Sequence, residues 1–466
     1  MAEPGPLMIE ALWICPPLAF ARFGQSSTPM ENFHWAYNDY APRGTAETVI
    51  QPALTFHINA DGSIRADTPT EIRFRDGGQW RPVCPFFELH GRLSNGYEGP
   101  MGLKQLEACG VYLNEITWHI EAANRKAFHY TNSPGDMVVA KTSIPGNDHF
   151  SVPLNGTSDG ALHPLVEQGK PVHLGSAQVI KPTQDHPELR LRITPPKGLI
   201  YAPANTKDRD LSALLEPNQD KEEFLKHLHL VLNPDAAWPK WYPVGDDSRT
   251  NPGGLYAQES SGASLDFLDD SNDGLITVAI TGSGVAGPEQ KAHARYTCCP
   301  QDFQPDRRPF TSTADGLSDL VNREQVLDPA YISGQNWDET EREIADFMQR
   351  VRETMEGSNL DHQNLRSALA NNPNNPSGSD YPFPPEQPRP GHPLPLTELG
   401  RMYHARFLAY EVFKERLGER PEIFDQWIRD PAAEPTPYDR KMPAVMRGSD
   451  ANPMSISQRQ YDLMKA

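Results

Sequence analysis

The chain has 466 residues, 46 of them proline and 34 glycine, and its formal net charge is −19. An acidic surface repels phosphate backbones, which argues against a nucleic-acid-binding protein. No apolar run reaches the roughly 18–20 residues of a membrane-spanning helix, and no Lys or Arg precedes Arg22, so the start is a poor signal peptide. We therefore expect a cytoplasmic protein that contacts neither nucleic acid nor membrane.

Residues 1–330 are predicted to form a β-rich body. Runs of β-branched and aromatic residues alternate with clusters of Gly, Pro, Asn and Asp, which is the pattern of short strands joined by turns. The clearest runs are 48–58, 116–129 and 275–280. In the second run, Ile116, Trp118 and Ile120 alternate with polar residues, so one face of that strand, including Trp118, is expected to be buried.

Helices are expected mainly in the C-terminal third. A short helix is predicted at 221–231 inside the body, and a clear apolar stripe predicts a longer one from Trp337 to Met355, within a helical segment at 331–370. Residues 371–395 are rich in Pro and Asn and are predicted to be a linker. The predicted fold class is therefore mainly β with appended helices, an α+β protein.

The C-terminal segment, 396–466, is predicted to be helical, with one helix at 396–417 and a last one capped by Ser457. Nothing in the sequence stops this last helix, so the segment is expected to be truncated inside it. A helix this short is marginal without support. Its apolar residues Tyr461, Leu463 and Met464 should be covered by more protein. The cover is expected to come either from this chain's own body or from another polypeptide, and we favour the second.

Two motifs in the body suggest ligand sites but favour plain structural interpretations. Gly282-Ser-Gly-Val-Ala-Gly287 matches a dinucleotide-binding fingerprint, but a strand rather than a helix is predicted after it, which favours a hairpin turn. Asp269-x-Ser271-x-Asp273 resembles the start of a calcium loop but lacks the glutamate of the twelfth position. An Asx-turn between two strands is the favoured interpretation, and no metal site is predicted.

Histidine and cysteine patterns likewise indicate no site. His227 and His229 would lie on different faces of the predicted helix, and Cys298 and Cys299 on opposite faces of a strand, as two independent thiols. Five cysteines without Cys-x-x-Cys spacing form neither a disulfide framework nor a zinc site. Asn155-Gly-Thr157 has the form of a glycosylation sequon and is interpreted as a turn.

Four segments, in order along the chain, carry recognisable motifs. They are Leu12–Asp39 with PLAFARFG at Pro17–Gly24, ITW through ANRKA at Ile116–Ala127, DDSNDG at Asp269–Gly274 with PQDFQPD at Pro300–Asp306, and Met442–Ala466 with its Gln460-Tyr461 pair. Together they resemble one enzyme family, the cysteine tryptophylquinone amino-acid oxidases of the L-lysine 6-oxidase and glycine oxidase group. The resemblance has departures: ADTPTEIRFRDGG replaces a basic segment after Ile64-Arg65, and Leu275 rather than Pro follows Gly274.

The resemblance implies oxidative deamination of a primary amine with O₂, giving H₂O₂ and ammonia, on a quinone built from a Cys and a Trp. It also implies a flavoprotein maturation partner and an oligomer. In the family, the Cys and Trp lie beyond the helix that corresponds to Tyr461, and no Cys of this chain sits in a matching motif. The cofactor is therefore expected on a partner polypeptide or a further segment, with this chain as an N-terminal portion that is inactive alone.

No catalytic, cofactor-binding or metal-binding residue is assigned to this chain. The alternative hypothesis is a non-catalytic scaffold or interaction protein that kept the β framework of the family and lost the quinone.

Overall fold

The computed structural model describes residues 7–37, 48–159, 163–236, 264–282, 284–302, 304–332, 337–356, 410–434, 441, 443, 446–447 and 452–466. By its internal contacts the chain forms two compact units. Unit 1 comprises Met1–Phe33 and Pro52–Asp302, and unit 2 comprises His34–Gln51 and Phe303–Ala466. The sequence alone assigned residues 303–330 to the β-rich body, whereas the contacts of the chain place them in unit 2. The predicted linker at 371–395 lies outside the described residues and stays a prediction.

Strands dominate unit 1 and short strands recur in unit 2. The described strands are β1 (Ile9–Cys15), β2 (Leu18–Arg22), β3 (Phe33–Tyr37), β4 (Thr48–Pro52), β5 (Thr55–Ile58), β6 (Ile64–Asp67), β7 (Arg75–Asp76), β8 (Gln79–Trp80), β9 (Phe86–Leu93), β10 (Glu98–Pro100), β11 (Ile116–Asn124), β12 (Val138–Pro145), β13 (Val152–Gly156), β14 (Val172–Val179), β15 (Arg190–Thr194), β16 (Ile200–Pro203), β17 (Leu228–Leu232), β18 (Leu268–Asp269), β19 (Asn272–Thr281), β20 (Glu289–Cys299), β21 (Met446–Arg447) and β22 (Asn452–Pro453).

The described helices are short in unit 1 and longer in unit 2. They are α1 (Leu103–Cys109), α2 (Lys126–Thr131), α3 (Lys221–Leu225), α4 (Thr313–Asn322), α5 (Pro329–Ile332), α6 (Trp337–Glu356), α7 (Tyr410–Glu419), α8 (Phe424–Trp427) and α9 (Gln458–Lys465). Among the described residues, no helix is both long and apolar enough to cross a membrane. The predicted fold class, mainly β with appended helices, is confirmed.

Three sheets organise unit 1. Sheet A has the order β1-β9-β15-β14-β13, with β10 also paired to β9, and it is antiparallel throughout. Sheet B has the order β12-β11-β19-β20-β2, antiparallel except for the β2–β20 pair. Sheet C is small, with the order β17-β16-β18. Side chains from sheets A and B form one apolar core, to which Leu89 and Leu191 contribute from sheet A.

The alternation predicted on β11 is confirmed. Ile116, Trp118 and Ile120 are at most 1% exposed, and Trp118 lies opposite Ile144 of β12 and Val278 of β19 in the strand register. Trp118 is among the largest fully buried side chains of the chain. Since the side-chain period of a strand is two, this face fixes which residues of sheet B point into the core.

Three sequence-based assignments in unit 1 are wrong in part. The predicted strand at 116–129 ends at Asn124, and helix α2 follows. The predicted helix at 221–231 ends at Leu225, and the chain then enters β17, because pairing with β16 outweighs local helix propensity. Asn155, interpreted as part of a turn, lies in strand β13 and pairs with His173 of β14.

Unit 2 has its own core, built around α6. The predicted apolar stripe is confirmed there, since Phe347, Met348 and Val351 are fully buried. They form one cluster with Phe424 of α8 and Tyr461 of α9. The predicted helix at 396–417 is described only from Tyr410 onward, as α7.

Two buried charged residues of α6, Glu353 and Arg350, are hydrogen-bonded within unit 2. The carboxylate of Glu353 accepts hydrogen bonds from the backbone N–H and the hydroxyl of Thr48, both at 2.6 Å, and from the Gln349 side chain at 2.7 Å. Arg350 donates to both carboxylate oxygens of Asp315 on α4, at 2.7 and 3.0 Å. These bonds satisfy charges that would otherwise be costly to bury.

Of the two alternatives for the cover of α9, docking on this chain's own body is confirmed, and the favoured one, another polypeptide, is wrong. Ser457 caps the helix as predicted, in a capping box with Gln460. The Tyr461 ring lies 5.2 Å from the Phe424 ring, and its hydroxyl donates to Asp425 at 2.7 Å. The backbone N–H of Arg459 donates to Asp319 of α4 at 2.6 Å. The helix thus gains its support from the other helices of unit 2, which a local sequence pattern does not reveal.

We predict that Trp118→Ala lowers the free energy of unfolding of unit 1 by about 3–5 kcal/mol, because it leaves a large cavity in the core. The control is Phe150→Ala in the same unit, where the side chain is 79% exposed and the expected loss is below about 0.5 kcal/mol. Denaturant titration followed by hydrogen exchange at the β11 amides measures both. Equal effects of the two variants would show that Trp118 is not a core residue.

We predict that the amides of α9 are protected from hydrogen exchange in the chain by itself. Leu463 is 1% exposed, so Leu463→Ala should remove this protection and cost about 2–5 kcal/mol in unit 2. Met454→Ala serves as control, since Met454 is 36% exposed. Rapid exchange throughout α9 in the unmodified chain would contradict the docking described above.

Candidate functional site

Two of the segments that carry the family resemblance meet at the end of β11. The side-chain amide of Asn124 donates to the carbonyl of Asp269 at 2.8 Å, and its oxygen accepts the backbone N–H of Lys126 at 3.1 Å. The Lys126 ammonium pairs with the Asp269 carboxylate at 2.6 Å, in a partly buried position. We call Asn124, Lys126, Asp269, Asp270 and Asn272 the motif cluster.

Asp269 also shapes the turn between β18 and β19. Its other carboxylate oxygen accepts the backbone N–H of Ser271 at 3.2 Å and the Ser271 hydroxyl at 2.6 Å. The predicted Asx-turn is therefore confirmed. Within the described residues, no group of three or more His, Cys, Asp or Glu side chains could hold a metal ion.

Asp270 is the unusual acid of the motif cluster, because it is fully buried. One carboxyl oxygen accepts the backbone N–H of Leu199 at 2.8 Å, and the other has no hydrogen-bond partner. Burial, with a smaller contribution from the charge of Asp269, raises the pKa of Asp270 to about 7. A carboxyl group of this kind can hold or release a proton near neutral pH.

Asn272 joins the motif cluster to sheet A. Its side-chain amide donates to the carbonyls of Leu174 on β14, at 3.2 Å, and of Asp270, at 3.0 Å. Its side-chain oxygen has no partner among the described residues. The motif cluster thus lies between the two large sheets of unit 1 and is bonded to both.

Gly274 is required by the packing of its neighbour on β20. It lies opposite Tyr296, and a Cβ atom at Gly274 would stand 1.8 Å from the tyrosine ring. Tyr296 is 1% exposed, its hydroxyl has no hydrogen-bond partner, and burial raises its pKa. Only glycine therefore allows the ring to lie across β19 at this point.

The first resemblance segment contacts the third at the other edge of sheet B. Arg22 of β2 donates to the Cys299 sulfur at 2.9 Å and to the Pro300 carbonyl at 3.0 Å, and pairs with Asp302 at 2.8 Å. Cys298 is buried and Cys299 half-buried, and neither forms a disulfide. Burial raises the pKa of both thiols. The prediction of two independent thiols is confirmed.

The remaining sequence motifs are structural. Gly282–Gly287 joins β19 to β20, which confirms the predicted hairpin turn, and a Cβ at Gly284 would lie 2.2 Å from the carbonyl of Cys109. His229 lies in β17 with its ring 5.3 Å from that of Tyr201. His227 precedes the strand and is not brought to a metal-binding group in the described part of the chain.

The fourth resemblance segment lies in unit 2 and is described in part. Ser457, Gln460 and Tyr461 hold α9 in place through the bonds given above, whereas Met442, Gly448 and Asp450 lie outside the described residues. Sequence reasoning missed Asp270. Its neighbour Asp269 has the same chemical type, and only the fold distinguishes the partly buried position from the fully buried one.

Comparisons with known proteins add a likeness of shape. No family model and no curated protein matches this chain. Among solved structures it is similar to the L-Lys ε-oxidase of Marinomonas mediterranea as its Schiff-base intermediate with L-Lys, with 15% identity over 73% of this chain and a TM-score of 0.39. A further structure of the ε-lysine oxidase gives 14% identity over 80% of this chain and a TM-score of 0.39. The chain spans 44–47% of the length of these proteins.

We predict that Asp270→Asn changes the pH dependence of stability. Between the ordinary carboxyl pKa of about 3.9 and the folded value of about 7, the unfolded state loses this proton and the folded state keeps it, so rising pH destabilises the fold by up to roughly 1.4 kcal/mol per pH unit. The asparagine lacks this penalty and can still accept the Leu199 N–H. The unfolding free energy of the Asp270→Asn variant, relative to that of the wild type, should therefore rise from pH 5 to 7 and stay constant above pH 7.

The control is Asp61→Asn. Hydrogen bonds from Ser63, with Lys181 nearby, lower the pKa of this exposed carboxyl to about 2, so its stability difference should stay constant between pH 5 and 8. Denaturant titrations at each pH provide the measurement. A flat difference for Asp270→Asn would contradict a buried carboxyl that titrates near neutrality.

Proposed function

We propose that this chain is the β-rich framework portion of a protein related to the quinoprotein amino-acid oxidases. The reaction of the whole assembly would be oxidative deamination of a primary amine with O₂, giving H₂O₂ and ammonia. The Cys and Trp that form the quinone would lie outside this chain, on a partner polypeptide or a further segment.

The observation that carries this proposal is the meeting of the resemblance segments in unit 1. Segments separated by more than a hundred residues contact each other through their own motif residues: Lys126 and Asn124 with Asp269, and Arg22 with Asp302. If this chain shares a framework with the family, the shared motif residues should occur in the same order and should contact one another in the fold. The contacts given above meet that requirement.

Trp118, the tryptophan of the resemblance segments, does not fit a tryptophylquinone. That cofactor needs a cysteine sulfur bonded to a tryptophan ring, whereas Trp118 lies opposite Ile144 and Val278 in the core. All five cysteines are free, and the sulfur of Cys299 accepts a hydrogen bond from Arg22. No step of an oxidase reaction is therefore assigned to this chain.

The second candidate function is a non-catalytic scaffold. It is favoured by one specific observation: the charged motif residues Arg22, Lys126 and Asp269 are each engaged with other residues of the chain. They support the sheet rather than present charge to a substrate. The two candidates share the same framework and differ in whether a quinone-bearing polypeptide joins it.

We predict that the chain by itself produces no H₂O₂ from any proteinogenic amino acid and has no visible absorbance band of a quinone. Co-expression with a neighbouring open reading frame that encodes the Cys and Trp region should yield a complex with both properties, and Arg22→Ala should weaken that complex through unit 1. The matched control is Arg92→Ala, an exposed arginine of sheet A. A quinone formed on a tryptophan of this chain would refute the framework role, and a colourless complex without activity would favour the scaffold.

A further inference from the structure

Helix α4 of unit 2 presents its apolar residues to solvent. Leu317 is 59% exposed, Leu320 78% and Val321 75%, and Leu327, at the end of the short 3-10 helix that follows, is 64% exposed. Leu317, Leu320 and Val321 are spaced i, i+3 and i+4, so they lie on one side of the helix. We call these four residues the apolar stripe.

The opposite side of α4 attaches the helix to its unit through polar residues. Asp315 accepts hydrogen bonds from Arg350 of α6 at 2.7 Å and from the Gln460 side chain of α9 at 3.3 Å. Asp319 accepts the backbone N–H of Arg459 at 2.6 Å. No residue of α4 is fully buried. An amphipathic helix ordinarily places its apolar side against the core, so α4 has the reverse orientation and leaves an apolar face available to a partner.

Gly316 lies on the exposed side of α4, four residues before Leu320. No neighbouring atom lies within 4 Å of the position that a Cβ atom would occupy there. Glycine inside a helix is less favourable than alanine, and no contact in the described part of the chain requires it at this position. Beside the apolar stripe, the missing side chain allows the axis of a second helix to approach α4 closely.

The charge at the edge of the apolar stripe is acidic. Glu324, about two helical turns after Leu317, is exposed, and so is Asp328, which follows the 3-10 helix. Neither carboxylate forms an ion pair with another described residue. The basic residue at this edge, Arg323, is paired with Asp319. A surface that complements the edge of the apolar stripe is therefore basic.

We propose that the apolar stripe binds an amphipathic helix of a second protein, whose apolar residues are flanked by Lys or Arg. Helix α4 has ten residues and is about 15 Å long at 1.5 Å per residue, so one helix of similar length covers the stripe. A second copy of this chain would bring two acidic edges together in a protein of net charge −19, which opposes self-association. The proposal is independent of the oxidase assignment, since it rests on α4 and its flanking residues.

The test is fluorescence anisotropy of a labelled synthetic peptide of about 15 residues, titrated with the full chain. The Lys peptide has Leu at i, i+3, i+4 and i+7 with Lys beside them, and the Glu peptide has Glu in place of each Lys. The full chain should bind the Lys peptide saturably and more tightly than the Glu peptide. Leu320→Gln should weaken binding of the Lys peptide about tenfold or more, because the binding then loses the burial of one leucine.

Two further variants separate apolar contact from charge. Leu54→Gln is the matched control, because Leu54 is also exposed, at 53%, but lies in unit 1, and it should bind the Lys peptide like the wild type. Glu324→Lys should weaken binding of the Lys peptide and strengthen binding of the Glu peptide, each by about two- to fivefold. All three variants change exposed side chains, so their melting temperatures should equal that of the wild type.

The proposal is overturned if the Lys peptide does not bind saturably, if Leu320→Gln binds it unchanged, or if the Glu peptide binds more tightly. A lower melting temperature for Leu320→Gln would show that another part of this chain already covers the stripe. A dimer in analytical ultracentrifugation that Leu320→Gln abolishes would assign the stripe to a second copy. Sedimentation with phosphatidylcholine–phosphatidylserine vesicles that Leu320→Gln abolishes would assign it to a membrane surface instead.

Discussion

The central strand pair of unit 1 is joined at one end by a tie, the ion pair of Lys126 with Asp269 together with the Asn124 hydrogen bond to the Asp269 carbonyl. It joins the end of β11 to the turn that starts β19, and these two strands form the centre of sheet B. Their register runs from Ile116 opposite Ile280 to Ala123 opposite Asp273. A slip of one residue would turn Trp118 out of the core. A tie at one end of the strand pair opposes such a slip and so helps to keep the buried face of β11 in the core.

The tie also explains why polar residues are tolerated between two sheets. Asp269 fixes the turn, the turn places Asn272 against the Leu174 carbonyl of sheet A, and Asp270 receives the Leu199 N–H. Each bond removes part of the cost of burying a polar group. The cost that remains is the burial of the Asp270 carboxyl, one oxygen of which has no partner, and this burial raises its pKa.

What the sequence predicted depended on local periodicity. The alternation around Trp118 and the stripe of α6 are set by which residues must face a core, and such patterns are visible in a single chain. The helix predicted at 221–231 was wrong beyond Leu225 because pairing with a distant strand decides the structure of Leu228–Leu232. The support of α9 by this chain and the burial of Asp270 arise from contacts between distant residues. No spacing along the sequence distinguishes Asp270 from Asp269.

A double-mutant cycle on Lys126 and Asp269 tests most directly whether the resemblance segments act as framework. Lys126→Met keeps the apolar stem without the charge, and Asp269→Asn can still form the Asx-turn, so the cycle isolates the ion pair. The framework account predicts a coupling of about 1 kcal/mol or more in the unfolding free energy of unit 1, with hydrogen exchange accelerated at β11 and β19. Additive effects of the two substitutions, with unchanged protection of both strands, would contradict it.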